Sequence, residues 1–235
     1  MNVVYALTRN LYPHIVPAVR SLIKYNPKAN VYILAEDDAL PVELPCKAKV
    51  VNVSGQKYFA PGSINWNKQF TYMAMMRATY AELFPRMKKC IQLDIDTIVN
   101  DDLTPLWNVD ISGKWLAACP EYTGHYKPFG PTYYNIGVAV FNLEQMRKDK
   151  IVPEVVHYLN TVSVPYLEQD AFNKFGLEQN KIAPIDVRYN ECFCCGYTNN
   201  PAIVHYAGIG DWFENKNIGR VEFLERFRSP QKIIF

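Results

Sequence analysis

The sequence predicts an α/β domain: a mixed, mostly parallel sheet flanked by helices. Three observations point to it. Buried-strand signals alternate with a helical pattern over the first third, and strand, helix, strand at that spacing is the signature of a βαβ unit. The chain has 235 residues, 49% hydrophobic and 20% charged, which suits one globular domain with a full core. An apolar run, Cys90-Ile91-Gln92-Leu93, leads into Asp94-Ile95-Asp96 and reads as the end of a buried strand.

In chain order, Asn2 to Leu7 reads as a buried first strand, and Thr8-Arg9-Asn10 as a polar bend. Ile15, Val19, Leu22 and Ile23 fall at helical spacing between Tyr12 and Tyr25, and Asn26-Pro27 stops that helix. Val31 to Ala35 and Val50 to Val53 are the second and third strands. Ser63 is placed to cap a long helix from Trp66 to Phe84, whose methionines are core filler. Trp115 to Cys119 is another strand, Glu121 to Thr132 a loop able to cover a site, and Tyr133 to Asn142 a turn that becomes a strand. Helices follow over Leu143 to Leu159, interrupted near Pro153, and from Glu168 to Phe175. Lys181 to Ala183, Val187 to Tyr189 and Ala202 to Tyr206 read as short strands.

Lys plus Arg total 25 and Asp plus Glu 23, a net charge of +2, too balanced to favour nucleic acid or an anionic membrane surface. No apolar run is long enough to cross a membrane. The first residues enter a strand directly without the features of a signal peptide, so a cytoplasmic protein with reduced thiols is expected. Aromatic residues make up 14% and suit stacking on bases and sugar rings as well as core packing. Of the six cysteines, Cys46, Cys90 and Cys119 sit singly in apolar runs and read as core thiols. Cys192-Phe193-Cys194-Cys195 has half of a zinc ligand set, but no second Cys pair accompanies it, so a metal-free cluster is preferred.

In an extended strand, residues two apart share a face, so Asp94 and Asp96 would present two carboxylates on one side. Like charges so close call for a cation, and oxygen ligands suit a divalent one; an acidic turn is the plainer alternative. Four separated segments then combine in order: Asp94-Ile95-Asp96, Tyr134-Asn135-Ile136-Gly137-Val138, Glu168-Gln169-Asp170, and His205-Tyr206-Ala207-Gly208 with Trp212. Together they resemble glycosyltransferase family 8, the family of glycogenin and of bacterial lipopolysaccharide galactosyl- and glucosyltransferases.

The resemblance implies a GT-A fold, a single domain with a nucleotide-sugar- and metal-binding half over about residues 1–110 and an acceptor-binding half over about 111–235. It implies transfer of a hexose, glucose or galactose favoured, from a nucleotide-diphosphate sugar of the UDP type to a carbohydrate hydroxyl, with retention of configuration. Asp94, Asp96 and His205 are the implied metal ligands. Two carboxylates and an imidazole suit Mn²⁺ better than Mg²⁺, which takes nitrogen reluctantly, although Mg²⁺ stays possible. A hydrogen-bonded core histidine is the alternative for His205. Arg77 is expected either to contact the donor or to form a buried salt bridge. Asn135 is expected to bind sugar hydroxyls, and Glu168, Gln169 and Asp170 to form the catalytic segment, with Gln169 near the anomeric carbon. Ala6, Leu7, Thr8, Tyr12 and Ile95 fall at the implied nucleotide site, with Thr8 meeting a base edge and Tyr12 stacking.

Two departures from the family pattern stand out. Thr8 occupies the position of an acid that reads uracil, and Tyr12 is displaced by one residue. In the late loop Gly208 keeps its motif place at the implied nucleotide site, but Asp211 replaces a lysine that contacts the diphosphate; Lys216 or Arg220 either swings in to supply the charge or is plain surface charge. Rival readings are a non-catalytic nucleotide-sugar-binding protein and a metal-dependent nucleotidyltransferase or phosphohydrolase.

Overall fold

The structure, a computed structural model, describes residues 1–66, 70–122 and 128–207. Its strands and helices are β1 (Asn2–Ala6), α1 (Ile15–Tyr25), β2 (Asn30–Ala35), β3 (Lys49–Asn52), α2 (Tyr72–Met75), α3 (Tyr80–Leu83), β4 (Lys89–Leu93), β5 (Thr97–Val99), α4 (Thr104–Trp107), β6 (Leu116–Pro120), β7 (Tyr134–Asn142), α5 (Leu143–Asp149), α6 (Ile151–Thr161), α7 (Glu168–Glu178), β8 (Ile182–Pro184) and β9 (Ile203–His205). Among the described residues, seven strands form one sheet in the order β3-β2-β1-β4-β7-β6-β8, and β5 pairs with β9 apart from it. The pairs β3/β2, β2/β1, β1/β4 and β6/β8 are parallel, whereas β7 runs antiparallel to both neighbours. This is the mixed, mostly parallel sheet that the alternation of elements predicts.

Alternation along the central strands sends side chains to two apolar layers. Cys90 and Phe141 face the layer holding α2, α3, α5, α6 and α7, while Ile91 and Val140 face the layer holding α1 and α4. On the first side Phe141 meets Phe172 of α7 and Tyr80 of α3 edge-on, at 5.4 and 5.8 Å between ring centres, the arrangement that aromatic quadrupoles prefer.

Several local expectations change. The helix expected from Trp66 starts at Tyr72, beyond Ser63, and is broken by a 3₁₀ turn over Met76–Thr79. There the Thr79 hydroxyl bonds the Met76 carbonyl at 2.7 Å, a side-chain bond that competes with helical geometry. A 3₁₀ turn over Arg9–His14 likewise precedes α1. The break between α5 and α6 falls at Lys150, which is left-handed at φ 54°, and not at Pro153. That proline lies in the first turn of α6, where a missing N–H costs no helical bond. Val187–Tyr189 is a 3₁₀ turn, not a strand, because the Asp186 side chain accepts from the Arg188 amide and starts a turn instead.

The largest local difference concerns the two aspartates. They occupy a turn between β4 and β5, rather than the extended end of one strand. Asp94 N–H donates to the Gly137 carbonyl at 2.7 Å, and the Thr97 hydroxyl donates to the Asp94 carbonyl at 2.6 Å. Both carboxylates still face one site, through turn geometry and not through strand period.

Candidate metal and sugar-nucleotide site

The site lies beyond the C-terminal ends of β1 and β4, where successive parallel strands run outward in opposite directions from the sheet's centre. In open α/β sheets that switch point is where ligands bind. His205 arrives by pairing: β9 runs antiparallel to β5 with Thr97 opposite His205, and Tyr206 N–H bonds the Asp96 carbonyl at 2.9 Å. His205 Nε2 stands 3.4 Å from Asp96 Oδ1 and 3.7 Å from Asp94 Oδ2, and one ligand atom from each residue lies within 4.8 Å of the others.

These separations fit a cation. Ligands about 2.1 Å from a common octahedral centre stand roughly 3.0–4.2 Å apart. Gly137 forms the wall: a Cβ there would come within 2.7 Å of Asp94 Oδ2 and 2.8 Å of His205 Nε2. His205 Nδ1 lies 2.7 Å from Asn190 Oδ1, so Nδ1 carries a proton, and the neutral ring turns its Nε2 lone pair toward the aspartates. Burial works against protonation of His205, yet Asp96 and Cys192 beside it raise its pKa well above the ordinary imidazole value. Burial also pushes the Asp94 carboxyl up, with Asp96 adding to the rise and Arg77 and His205 opposing it.

Arg77 is buried in the 3₁₀ turn between α2 and α3 and joins two acids. Its Nη1 donates to Asp94 Oδ1 at 2.7 Å, and its Nη2 contacts Glu168 Oε1. The buried salt bridge, one of the two sequence expectations, is therefore present. Burial pushes the Glu168 carboxyl up to about 7 despite Arg77, and neither of its oxygens meets another residue's donor in hydrogen-bonding geometry.

Gln169 and Asp170 open α7 beside β7. The Gln169 Oε1 accepts from Ile136 N–H at 3.0 Å, and its Nε2 donates to Glu121 and to the Tyr133 hydroxyl at 3.4 and 3.2 Å. Asp170 accepts from the Tyr133 hydroxyl at 2.6 Å and from Tyr166 N–H at 2.9 Å, so it braces the segment. Leu167, just before it, is left-handed at φ 51° and fully buried; burial of that side chain offsets a backbone strain of about 1–3 kcal/mol. Asn135 accepts from Gly137 N–H and from Asn190 at 3.1 and 3.0 Å, and donates to Glu121 at 3.2 Å.

Ala6 ends β1 with Leu7 and Thr8 just beyond it, and Ile95 lies in the turn after β4. Leu7 is 1% and Thr8 8% exposed, and the Thr8 hydroxyl donates to Asn10 at 2.6 Å. Tyr12 is 1% exposed, and its hydroxyl lies between Glu36 N–H and the Asp37 carboxylate at 2.9 and 3.1 Å. Its ring packs in the core and offers no open face for stacking here, because the turn over Arg9–His14 swings it inward. Gly208, Asp211, Trp212, Lys216, Arg220, the tail from Phe223 to Phe235 and part of the Glu121–Thr132 loop lie outside the described residues.

Four residues at the site were not singled out from sequence. Gln92 carried a signal: a polar residue in an apolar strand, it bridges the Tyr80 hydroxyl and Asp94 Oδ1 at 2.6 and 3.1 Å. Glu121, Tyr133 and Asn190 carried none, since each acts through partners far away in the chain.

The glycosyl transferase family 8 profile matches residues 2–212. A provisionally named glycosyltransferase of Haemophilus influenzae is 27% identical over 215 residues, covering 81% of this chain; the chain spans 63% of that relative's length. Among solved structures, an active-site glutamine-to-glutamate variant of LgtC superposes with a TM-score of 0.77 at 21% identity, covering 97% of this chain and 95% of LgtC. The galactosyltransferase LgtC with donor and acceptor sugar analogues gives 0.73 at 21% identity, covering 97% and 94%. These likenesses establish the GT-A fold. With four ordered motifs inside the matched span and a profile that covers nearly all of it, the chain belongs to glycosyl transferase family 8.

Proposed function

We propose that this protein transfers a hexose, glucose or galactose favoured, from a UDP-sugar to a carbohydrate hydroxyl, with Mn²⁺ and with retention of anomeric configuration. The observation that carries this reading is the convergence of Asp94, Asp96 and His205 around the wall formed by Gly137, inside a family 8 chain. Asp94, Asp96 and His205 would hold the ion. When bound, it supplies Lewis-acid stabilisation of the charge that builds on a departing diphosphate.

The chain's own groups do the rest. Arg77 keeps Asp94 ionised and oriented while facing Glu168. Glu168, whose Oε1 faces the Arg77 guanidinium, is the acceptor for a donor-sugar hydroxyl, and Asn135 is a second sugar contact. Glu121 orients the Asn135 and Gln169 amides together. An amide is a poor nucleophile, so Gln169 supports an electron-poor anomeric carbon instead of forming an ester. LgtC has an active-site glutamine that has been changed to glutamate, which supports a central place for Gln169. Ala6, Leu7, Thr8 and Ile95 form the nucleotide side, in the half over about residues 1–110. The acceptor half runs over about 111–235. Among the described residues no helix is long and apolar enough to cross a membrane, and a cytoplasmic location is part of the proposal.

Incubation with Mn²⁺ and a panel of nucleotide sugars tests it. Slow release of UDP from one UDP-hexose, speeded by a sugar acceptor, is the expected result, and NMR of the first-formed product should show the donor's anomeric configuration. Tight binding without turnover would replace the reading with a binding protein. Cleavage of the nucleotide to its monophosphate would replace it with a phosphohydrolase.

A further inference from the structure

We propose that Cys192, Cys194 and Cys195, backed by the Cys119 carbonyl, form a thiolate site for a soft cation of the zinc class, next to the carboxylate–imidazole site. The three sulfurs lie within 4.8 Å of one another, and the residues are 3, 7 and 6% exposed. Cys192 and Cys194 Sγ are 3.1 Å apart. The segment doubles back because Gly196, at φ 104°, returns its N–H to the Cys192 carbonyl at 2.9 Å, a backbone conformation that glycine adopts without strain.

Cys119, near the end of β6, backs the cluster through its main chain: its carbonyl lies 4.0 Å from Cys195 Sγ, and three sulfurs make up the ligand set. Two amides then face the sulfurs: Asn135 Nδ2 stands 3.6 Å from Cys194 Sγ, and Asn190 Nδ2 stands 3.7 Å from Cys195 Sγ. Their orientation is set elsewhere, since Asn135 Oδ1 accepts from Gly137 N–H and Asn190 Oδ1 faces His205 Nδ1. Amide N–H groups aimed at sulfur favour thiolate over thiol and act as the outer support of a metal–sulfur site.

All-sulfur donors select zinc-like or cuprous ions over Mn²⁺, Mg²⁺ or Ca²⁺. On binding, each coordinating thiol releases its proton to solvent as its sulfur donates a lone pair to the ion, with no change of oxidation state. Asn135 and Asn190 touch both sites, so an ion on the sulfurs would stiffen the support behind His205.

Cobalt(II) titrated into the reduced full chain, with excess Mg²⁺ present to occupy the carboxylate site, provides the test. The expected result is a near-ultraviolet thiolate-to-cobalt band that saturates at about one ion per chain and is displaced by Zn²⁺. Cys194→Ser should abolish the band, and Asp96→Asn should keep it. On the unaltered chain, Zn²⁺ should slow labelling of at least three of the six cysteines by roughly tenfold or more. Absence of the band together with labelling unchanged by Zn²⁺ would overturn the proposal, as would a band lost in Asp96→Asn but kept in Cys194→Ser. If Cys194→Ser fails to fold, the labelling of the unaltered chain decides.

Discussion

A methyl group at Gly137 would press on His205 and Asp94 at once. The Gly137→Ala variant should therefore lose Mn²⁺ affinity by roughly 10–100-fold while keeping its circular dichroism. Electron spin resonance of free Mn²⁺ measures this, and unchanged affinity would mean that the ion sits elsewhere. Arg77 makes a different prediction. Removing it in Arg77→Met strands two acids, Asp94 and the fully buried Glu168, and should cost about 3 kcal/mol of stability. Adding Glu168→Gln removes one stranded charge and should recover a good part of that loss in urea unfolding. If the double variant is no more stable than Arg77→Met, Glu168 is not charged against Arg77 in the fold.

The element that decides the site's shape is α7. Asn173 docks it onto the start of β7 in the manner of a neighbouring strand: Tyr134 N–H donates to its Oδ1 at 2.7 Å, and its Nδ2 donates to the Tyr134 carbonyl at 2.8 Å. Asn173→Leu keeps the volume but leaves both backbone groups unpaired, so a loss of about 2–3 kcal/mol is expected from urea unfolding. The same variant should lower turnover beyond what stability explains, because Gln169 and Asp170 share this helix. A stability loss with turnover intact would show that the first turn of α7 is held by Tyr133 and Ile136 instead.

Across the whole molecule, Asp149 ties the end of α5 to Trp115 and Lys181, the residues just before β6 and β8. Burial opposes its ionisation, but hydrogen bonds from Lys181, Gln145 and Trp115 outweigh that and hold its carboxyl at about 2. The folded value lies below the unfolded one near 4, so the contribution is fully present above about pH 4. It fades as pH falls through about 2. Both Asp149 and Lys181 are 22% exposed, and with solvent screening the effect is about 1 kcal/mol. Unfolding followed from pH 5 to pH 2 should show this loss in the parent and a flatter profile in Asp149→Asn. Parallel profiles would place the acid sensitivity in other carboxylates.

Much of the fold was legible in the chain because it is written in short-range patterns. Alternation of buried strands with helical spacing is enough to specify a mostly parallel sheet, and the order of four motifs is enough to specify the family. Asp94, Asp96, His205 and the segment from Glu168 to Asp170 could be named as candidates on those grounds. What tertiary structure alone decided is whatever depends on groups far apart in sequence. The pairing of β5 with β9 brings His205 to the aspartates, Tyr12 turns into the core, Glu121 and Asn190 join the site, and the Cys119 carbonyl meets Cys195. None of these leaves a local pattern, because a side chain's neighbours across a sheet are set by strand order and register, and its burial by what packs over it.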